Sequence, residues 1–100
     1  MIKILKNEKE LKKIMQEEKV LIDFYAPWCG PCNLLAPHLE EINEKYPRLI
    51  ILKINIDQFT NLAEKFVINA VPTLIYLNNQ KIKKSHVGYL TYSQLERLIK

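Results

Sequence analysis

Apolar positions along this chain follow two rhythms. Val20 to Tyr25 is a near-continuous run of strand-forming residues broken only at Asp23, the pattern of a strand buried on both faces. Leu49 to Ile56 repeats it, interrupted by Lys53 and Asn55. Ile2 to Leu5 is a shorter run of the same kind, and Thr73 to Leu77 is another, beginning just after Pro72. Between these runs the spacing turns helical. Asn7 and Glu10 form a capping box ahead of Leu11, Ile14 and Met15, with Lys12 and Lys13 on the other face. Leu35, Leu39, Ile42 and Tyr46 recur at intervals of three and four, with Glu40, Glu41, Glu44 and Lys45 on the wet side. That long amphipathic helix is expected to kink at Pro37 and to end at Pro47. Leu62, Ala63 and Phe66 indicate a short helix. Asn78-Asn79 is read as the tight turn into a returning strand, Lys81 to Val87, since Asn tolerates positive φ. Thr91 and Gln94 cap a last helix whose stripe is Tyr92, Leu95, Leu98 and Ile99.

The predicted order is β-α-β-α-β-α-β-β-α. Buried strands joined through helices imply parallel pairing by right-handed crossovers, and the final hairpin implies an antiparallel edge. The expectation is an α/β fold, a mixed sheet with helices on both faces. With 100 residues and no linker, repeat or low-complexity stretch, residues 1–100 read as one domain.

Composition narrows the classes. The apolar share is 48% and the charged share 26%, with 2 Gly and 5 Pro, which excludes collagen-like and disordered chains. No apolar run approaches the roughly 18 residues of a membrane helix, so no membrane association is expected. Met1 to Glu8 has neither a sustained apolar stretch nor a small-residue cleavage site, so no secretory leader is expected. Two cysteines three positions apart cannot staple distant segments, which points to the reducing cytoplasm. The formal net charge is +4, but the lysines are scattered. The densest group, Lys81, Lys83 and Lys84, lacks interleaved aromatics and reads as a protected strand edge rather than a nucleic-acid surface.

The chemistry lies in Trp28-Cys29-Gly30-Pro31-Cys32, between a buried strand and an amphipathic helix. A dithiol at this spacing can close a small reversible disulfide ring. Pro31 suits the first helical turn, where a missing N–H costs nothing, and Gly30 allows a tight turn ahead of it. Cys29 then sits at the positive end of the helix dipole beside unpaired N–H groups, which favours its thiolate and lowers its pKa. Cys32, inside the turn, is expected to be more buried and less acidic. Cys29 is therefore assigned the attack and Cys32 the resolution. Two competing readings fare worse. A zinc site would need His38 and His86, which lie beyond reach of the pair in this element order. Inert buried cysteines do not explain the Gly-Pro turn and the adjacent Trp28.

Ala26-Pro27-Trp28-Cys29-Gly30-Pro31-Cys32, Leu35-Ala36-Pro37, Lys53-Ile54-Asn55-Ile56-Asp57, Val71-Pro72-Thr73 and Val87-Gly88 occur in the order and at the intervals of one family. The sequence resembles thioredoxin over essentially its whole length. The resemblance implies a thioredoxin-like three-layer sandwich and a general protein-disulfide reductase that cycles Cys29 and Cys32 between dithiol and disulfide. It implies a cis Val71–Pro72 bond facing the cysteines, with the Val71 backbone offered to an extended client segment as to an added strand. Trp28, Ala70, Pro31 and Gly88 would form the rim that docks partner proteins. Asp23 would take and return the Cys32 proton through a water, with Lys53 tuning it; the plainer alternative is a structural Asp23–Lys53 ion pair. Desolvation is expected to outweigh Lys53 at Asp23, because the lysine head can extend to solvent along its apolar stem.

By the same resemblance no cofactor or metal is bound. Electrons come from a thioredoxin reductase, an NADPH-dependent flavoprotein, and the protein acts as a monomer on disulfide-bearing protein substrates. The chain departs from the family at Asn33, where a basic residue is usual, at Ala70, where glycine is frequent, in its glycine-free hairpin turn and in its basic balance. Two alternative functions remain from sequence: a thioredoxin-fold binding module or scaffold subunit with incidental redox activity, and an oxidant or isomerase of an oxidising compartment.

Overall fold

In the computed structural model, which describes residues 1–100, the runs of strand formers become the middle of a five-stranded sheet. The strands are β1 (Ile2–Ile4), β2 (Lys19–Tyr25), β3 (Ile50–Asn55), β4 (Thr73–Asn78) and β5 (Lys81–Val87). The helices are α1 (Glu8–Ile14), α2 (Gly30–Lys45), α3 (Thr60–Lys65) and α4 (Tyr92–Leu98). Strand order is β1-β3-β2-β4-β5. β3 pairs in parallel with both β1 and β2, while β4 runs antiparallel to β2 and β5. β2 is therefore the central strand, and Val20, Leu21, Ile22 and Phe24 are fully buried.

The pleat sends successive side chains of β2 to opposite faces, and each face has its own core. Val20, Ile22 and Phe24 pack with Leu11 and Ile14 of α1 and Leu62 of α3. Leu21 packs on the other side with Leu35, Leu39 and Ile42 of α2 and Leu95 and Leu98 of α4. The predicted three-layer arrangement is met, and so are both capping boxes, Asn7 with Glu10 and Thr91 with Gln94. α2 runs unbroken through Pro37 and stops at Lys45, two residues before Pro47. On the second face, Asp23 and Tyr25 follow Leu21 along β2 towards the start of α2. This row of the sheet positions the candidate site.

Two local features differ from the sequence reading. The hairpin turn is Asn79-Gln80 rather than Asn78-Asn79, with φ of 51° and 69° at its two central residues. Asn78 pairs with both Lys19 and Lys81, so β4 keeps one more residue than its apolar run suggests. The other is the end of α3. The Ile68 N–H reaches the Ala63 carbonyl at 2.8 Å and the Val67 N–H reaches that of Glu64 at 3.1 Å. This is the double hydrogen bond of a Schellman cap, whose left-handed position is usually glycine. Here it is Val67, at φ 56°, a branched residue that is 72% exposed. Left-handed backbone costs such a residue about 1–2 kcal/mol, and little burial offsets it. Val67→Gly is therefore expected to raise stability by about 1 kcal/mol, read from the urea midpoint. A lower midpoint would show that the valine side chain contributes more than its backbone costs.

Candidate active site: a dithiol at the start of a helix

Cys29 is the N-cap of α2, and Pro31 lies in the first helical turn, as the turn chemistry of Gly30-Pro31 requires. Cys29 and Cys32 form a disulfide with Cα atoms 5.3 Å apart. The Cys32 N–H donates to Cys29 Sγ at 3.2 Å, one of the helix-start donors with no carbonyl partner. Cys29 Sγ also lies 3.6 Å from the Val71 carbonyl oxygen. Residue burial does not separate the pair, contrary to expectation: Cys29 is 4% exposed and Cys32 6%. Val71 packs against the pair. What distinguishes the two sulfurs is therefore hydrogen bonding to Cys29, not burial of Cys32.

The Val71–Pro72 bond is cis, and Pro72 is buried. Thr73 Oγ1 donates to the Ala70 carbonyl at 2.6 Å and closes the loop. Val71 makes no backbone–backbone hydrogen bond, so its N–H and C=O are free to pair with an added strand. The Gly88 N–H donates to the Pro72 carbonyl at 2.8 Å, and Gly88 holds φ at +102°, a conformation that a side chain would strain. Gly88 is thus tied to Pro72 by a hydrogen bond, while the disulfide-bonded Cys29 Sγ only rests against the Val71 carbonyl. Ala70, Gly30 and Pro31 are exposed around them and Gly88 is half-buried.

Trp28 is 69% exposed, which rejects core packing as its role. Its ring is held by one hydrogen bond, from Nε1–H to Asp57 Oδ2 at 2.9 Å. The Asp57 N–H donates in turn to Asn55 Oδ1 at 2.9 Å. Sequence reasoning gave Asp57 no role, since no spacing rule connects positions 28 and 57. An acid following a buried strand is the only signal it offers. Leu34, 67% exposed and one turn beyond Pro31, is a further apolar neighbour of the rim that the sequence reading passed over.

Asp23 is 1% exposed, and its Oδ1 is buried without a hydrogen-bond partner. It shares the α2-facing side of β2 with Tyr25, which packs against Ala26, Cys29 and Cys32. It makes no direct hydrogen bond to either cysteine. Lys53 stands opposite Asp23 in the β2–β3 register yet makes no ion pair with it. The Lys53 Nζ instead lies over the Tyr25 ring, 4.6 Å from its centre. Burial therefore dominates: it pushes the Asp23 carboxyl up to about 6 from 3.8, and the nearby Lys53 charge only partly opposes it. Burial, and next the Asp23 charge, also raise the Tyr25 hydroxyl. No three His, Cys, Asp or Glu side chains converge to hold a metal ion. No helix is long and apolar enough to cross a membrane.

The thioredoxin family model matches residues 2–100. The thioredoxin of Mycoplasmoides gallisepticum is 31% identical over 100 residues, covering 99% of this chain and all of that protein. The thioredoxin of Buchnera aphidicola is 44% identical over 85 residues, covering 83% of this chain and 78% of that one. Among solved structures, the oxidised thioredoxin from Plasmodium falciparum superposes with a TM-score of 0.88 at 32% identity, covering 99% of this chain and 95% of that one. A mutant thioredoxin from Halobacterium salinarum gives a TM-score of 0.90 at 31% identity, covering 98% and 87%.

Proposed function

The chain belongs to the thioredoxin family and is a protein-disulfide reductase, and we propose that Cys29 and Cys32 divide the exchange between them. In the reduced protein the Cys29 thiolate attacks one sulfur of a client disulfide. A Cys29–client bond forms and the other client sulfur leaves as a thiolate. Cys32 then loses its proton and attacks Cys29 Sγ. The mixed disulfide breaks, the second client thiolate leaves, and the Cys29–Cys32 disulfide remains. Two electrons pass to the client. The observation that carries this assignment is the Cys29 sulfur at the helix start, accepting the Cys32 N–H.

Asp23 is assigned the Cys32 proton, passed through one water. The support is a carboxyl buried on the α2 side of the sheet, with an unpartnered oxygen and an affinity for protons raised towards neutrality. Lys53 tunes it from the neighbouring strand. The free backbone groups of Val71 support docking of an extended client segment beside Cys29, with Trp28, Pro31, Ala70 and Gly88 as its rim. A thioredoxin reductase, a flavoprotein drawing on NADPH, restores the dithiol by analogy with the family. The compartment proposed is the cytoplasm, since both cysteines belong to the exchange pair and none makes a structural bridge. A monomer of one domain, 1–100, is supported by the sheet edges: β1 is three residues long and β5 carries Lys81, Lys83 and Lys84, which resist edge pairing.

The direction of exchange has its own test. A reductant holds its own disulfide more firmly than its clients hold theirs. Equilibration in glutathione redox buffers is expected to give a potential more reducing than the glutathione couple, each 30 mV or so being about 1.4 kcal/mol. A potential on the oxidising side of glutathione would place the protein with the oxidants and isomerases.

A further inference from the structure

The pole of the molecule away from the cysteines holds a cleft of about 670 Å³. β2 begins there at Lys19 and ends beside the disulfide at Tyr25, about 20 Å away at the rise of an extended strand. The C-terminal ends of α2 and α4 and the β4–β5 hairpin wall it. Its floor is apolar, formed by Leu49, Tyr76 and Ile99, all buried, with Tyr46 and Pro47 beside them. Its rim is basic: Lys19, Lys45, Arg48, Lys83, Lys84 and Lys100 line it, and no lining residue is acidic.

Two of these cations are already engaged. Lys45 pairs with Glu96 at 2.6 Å, and Lys84 Nζ donates to the carbonyls of Arg97 and Lys100 at the end of α4. Lys19, Arg48 and Lys83 have no carboxylate within ion-pair distance. They arrive from β2, from the loop after α2 and from β5, so only the fold collects them. The strand itself is bent to do so. Successive residues of a regular strand point to opposite faces, yet Lys83 and Lys84 both line the cleft. Tyr76 stands opposite Lys84 and Leu77 opposite Ile82, which leaves Lys83 as the extra residue of a β-bulge. Bulges re-aim side chains in this way, and they recur where a strand edge serves a site.

We propose that this cleft binds a nucleoside phosphate, with the phosphates among Lys19, Arg48 and Lys83 and the base against the apolar floor. The cleft volume lies within the range of about 300–1,000 Å³ typical of small-ligand sites, which favours a compact polyanion over an extended acidic peptide. A guanidinium fork matches phosphate oxygens in geometry as well as charge. An anion here also relieves the mutual repulsion of the lining cations that have no ion-pair partner. The densest lysine group thus gains the aromatic neighbours, Tyr46 and Tyr76, that its own sequence stretch lacks.

Isothermal titration of the full oxidised chain with ADP, pyrophosphate, adenosine and a short oligoglutamate peptide tests this. ADP is expected to bind saturably at one site, and pyrophosphate and adenosine each at least about tenfold more weakly. Arg48→Glu with Lys83→Glu is expected to abolish ADP binding. A charge-matched pair on α1, Lys9→Glu with Lys13→Glu, is expected to retain it. Insulin reduction should be unchanged in both variants, which separates this site from the redox reading. Absence of saturable ADP binding overturns the proposal. So does pyrophosphate binding as tightly as ADP, oligoglutamate binding more tightly, or equal loss in the α1 pair.

Discussion

Replacing Cys29 by serine is expected to reduce insulin-disulfide reduction to the rate of uncatalysed exchange, while Cys32→Ser leaves the protein joined to its clients. The two variants are expected to differ because only Cys29 is assigned the first attack. Cys29 Sγ caps α2, accepts the Cys32 N–H at 3.2 Å, and lies against the Val71 carbonyl in the loop proposed to receive clients. A thiolate there is stabilised by the helix-start donors and the dipole. Without Cys29 nothing attacks. Without Cys32 the mixed disulfide forms but has no internal thiol to break it, so clients remain attached and appear on non-reducing gels. In the reduced wild type, iodoacetamide is expected to modify Cys29 far faster than Cys32 near neutral pH. Equal alkylation rates, or client adducts on Cys29→Ser rather than Cys32→Ser, would reverse the assignment. Burial does not contribute to the difference, since the two residues are about equally buried.

The second large effect is expected at Asp23, and it has opposite signs for stability and activity. Its folded pKa, about 6, lies above the unfolded value of 3.8 because β2 buries the carboxyl. Below the unfolded value the group is protonated in both states and imposes no penalty. As pH rises from there through the folded value, the unfolded chain ionises first and the fold loses stability. At about 1.4 kcal/mol per pH unit, the loss is about 3 kcal/mol by pH 8. Asp23→Asn removes the penalty. The oxidised variant is expected to exceed wild type by about 2–3 kcal/mol more at pH 8 than at pH 4, measured from denaturant midpoints. The same variant is expected to reduce disulfides about a hundredfold more slowly, because Cys32 would lose the proton acceptor proposed for it. Lower stability of Asp23→Asn at pH 8 would make Asp23 the structural partner of Lys53. The position of Lys53, over Tyr25 and outside ion-pair reach, argues for the relay.

The order of elements and both helix caps were legible in the chain because each depends on neighbours within a few residues, and the mixed sheet with helices on both faces followed from that order by the crossover rule. A capping box joins positions three apart, helical stripes repeat every three or four, and a buried strand shows as an apolar run. The candidate nucleophile was legible for the same reason: Cys29, Gly30, Pro31 and Cys32 bring their own turn and helix start. Asp23 and Lys53 stood out as charges in apolar strands, but their relation did not. Register places them side by side, whereas the ion pair depends on where a flexible lysine rests, and the Tyr25 ring decided that.

By itself, then, the sequence determined the elements, the sheet with helices on both faces, and the dithiol with its helix. The tertiary structure decided everything that joins distant positions. It alone brought Asp57 to the Trp28 ring and tied Gly88 to Pro72, and it set Val71 against Cys29, a placement that only the family resemblance had implied. It moved the hairpin turn to Asn79-Gln80, because Asn78 is claimed by strands on both sides. It also gathered Lys19, Arg48 and Lys83 around one cleft. The physical reason is the range of the forces involved. Backbone propensity, capping and amphipathic spacing act over one or two turns and are written in adjacent letters. Hydrogen bonds and burial between segments distant in the chain exist only once the sheet has set its register.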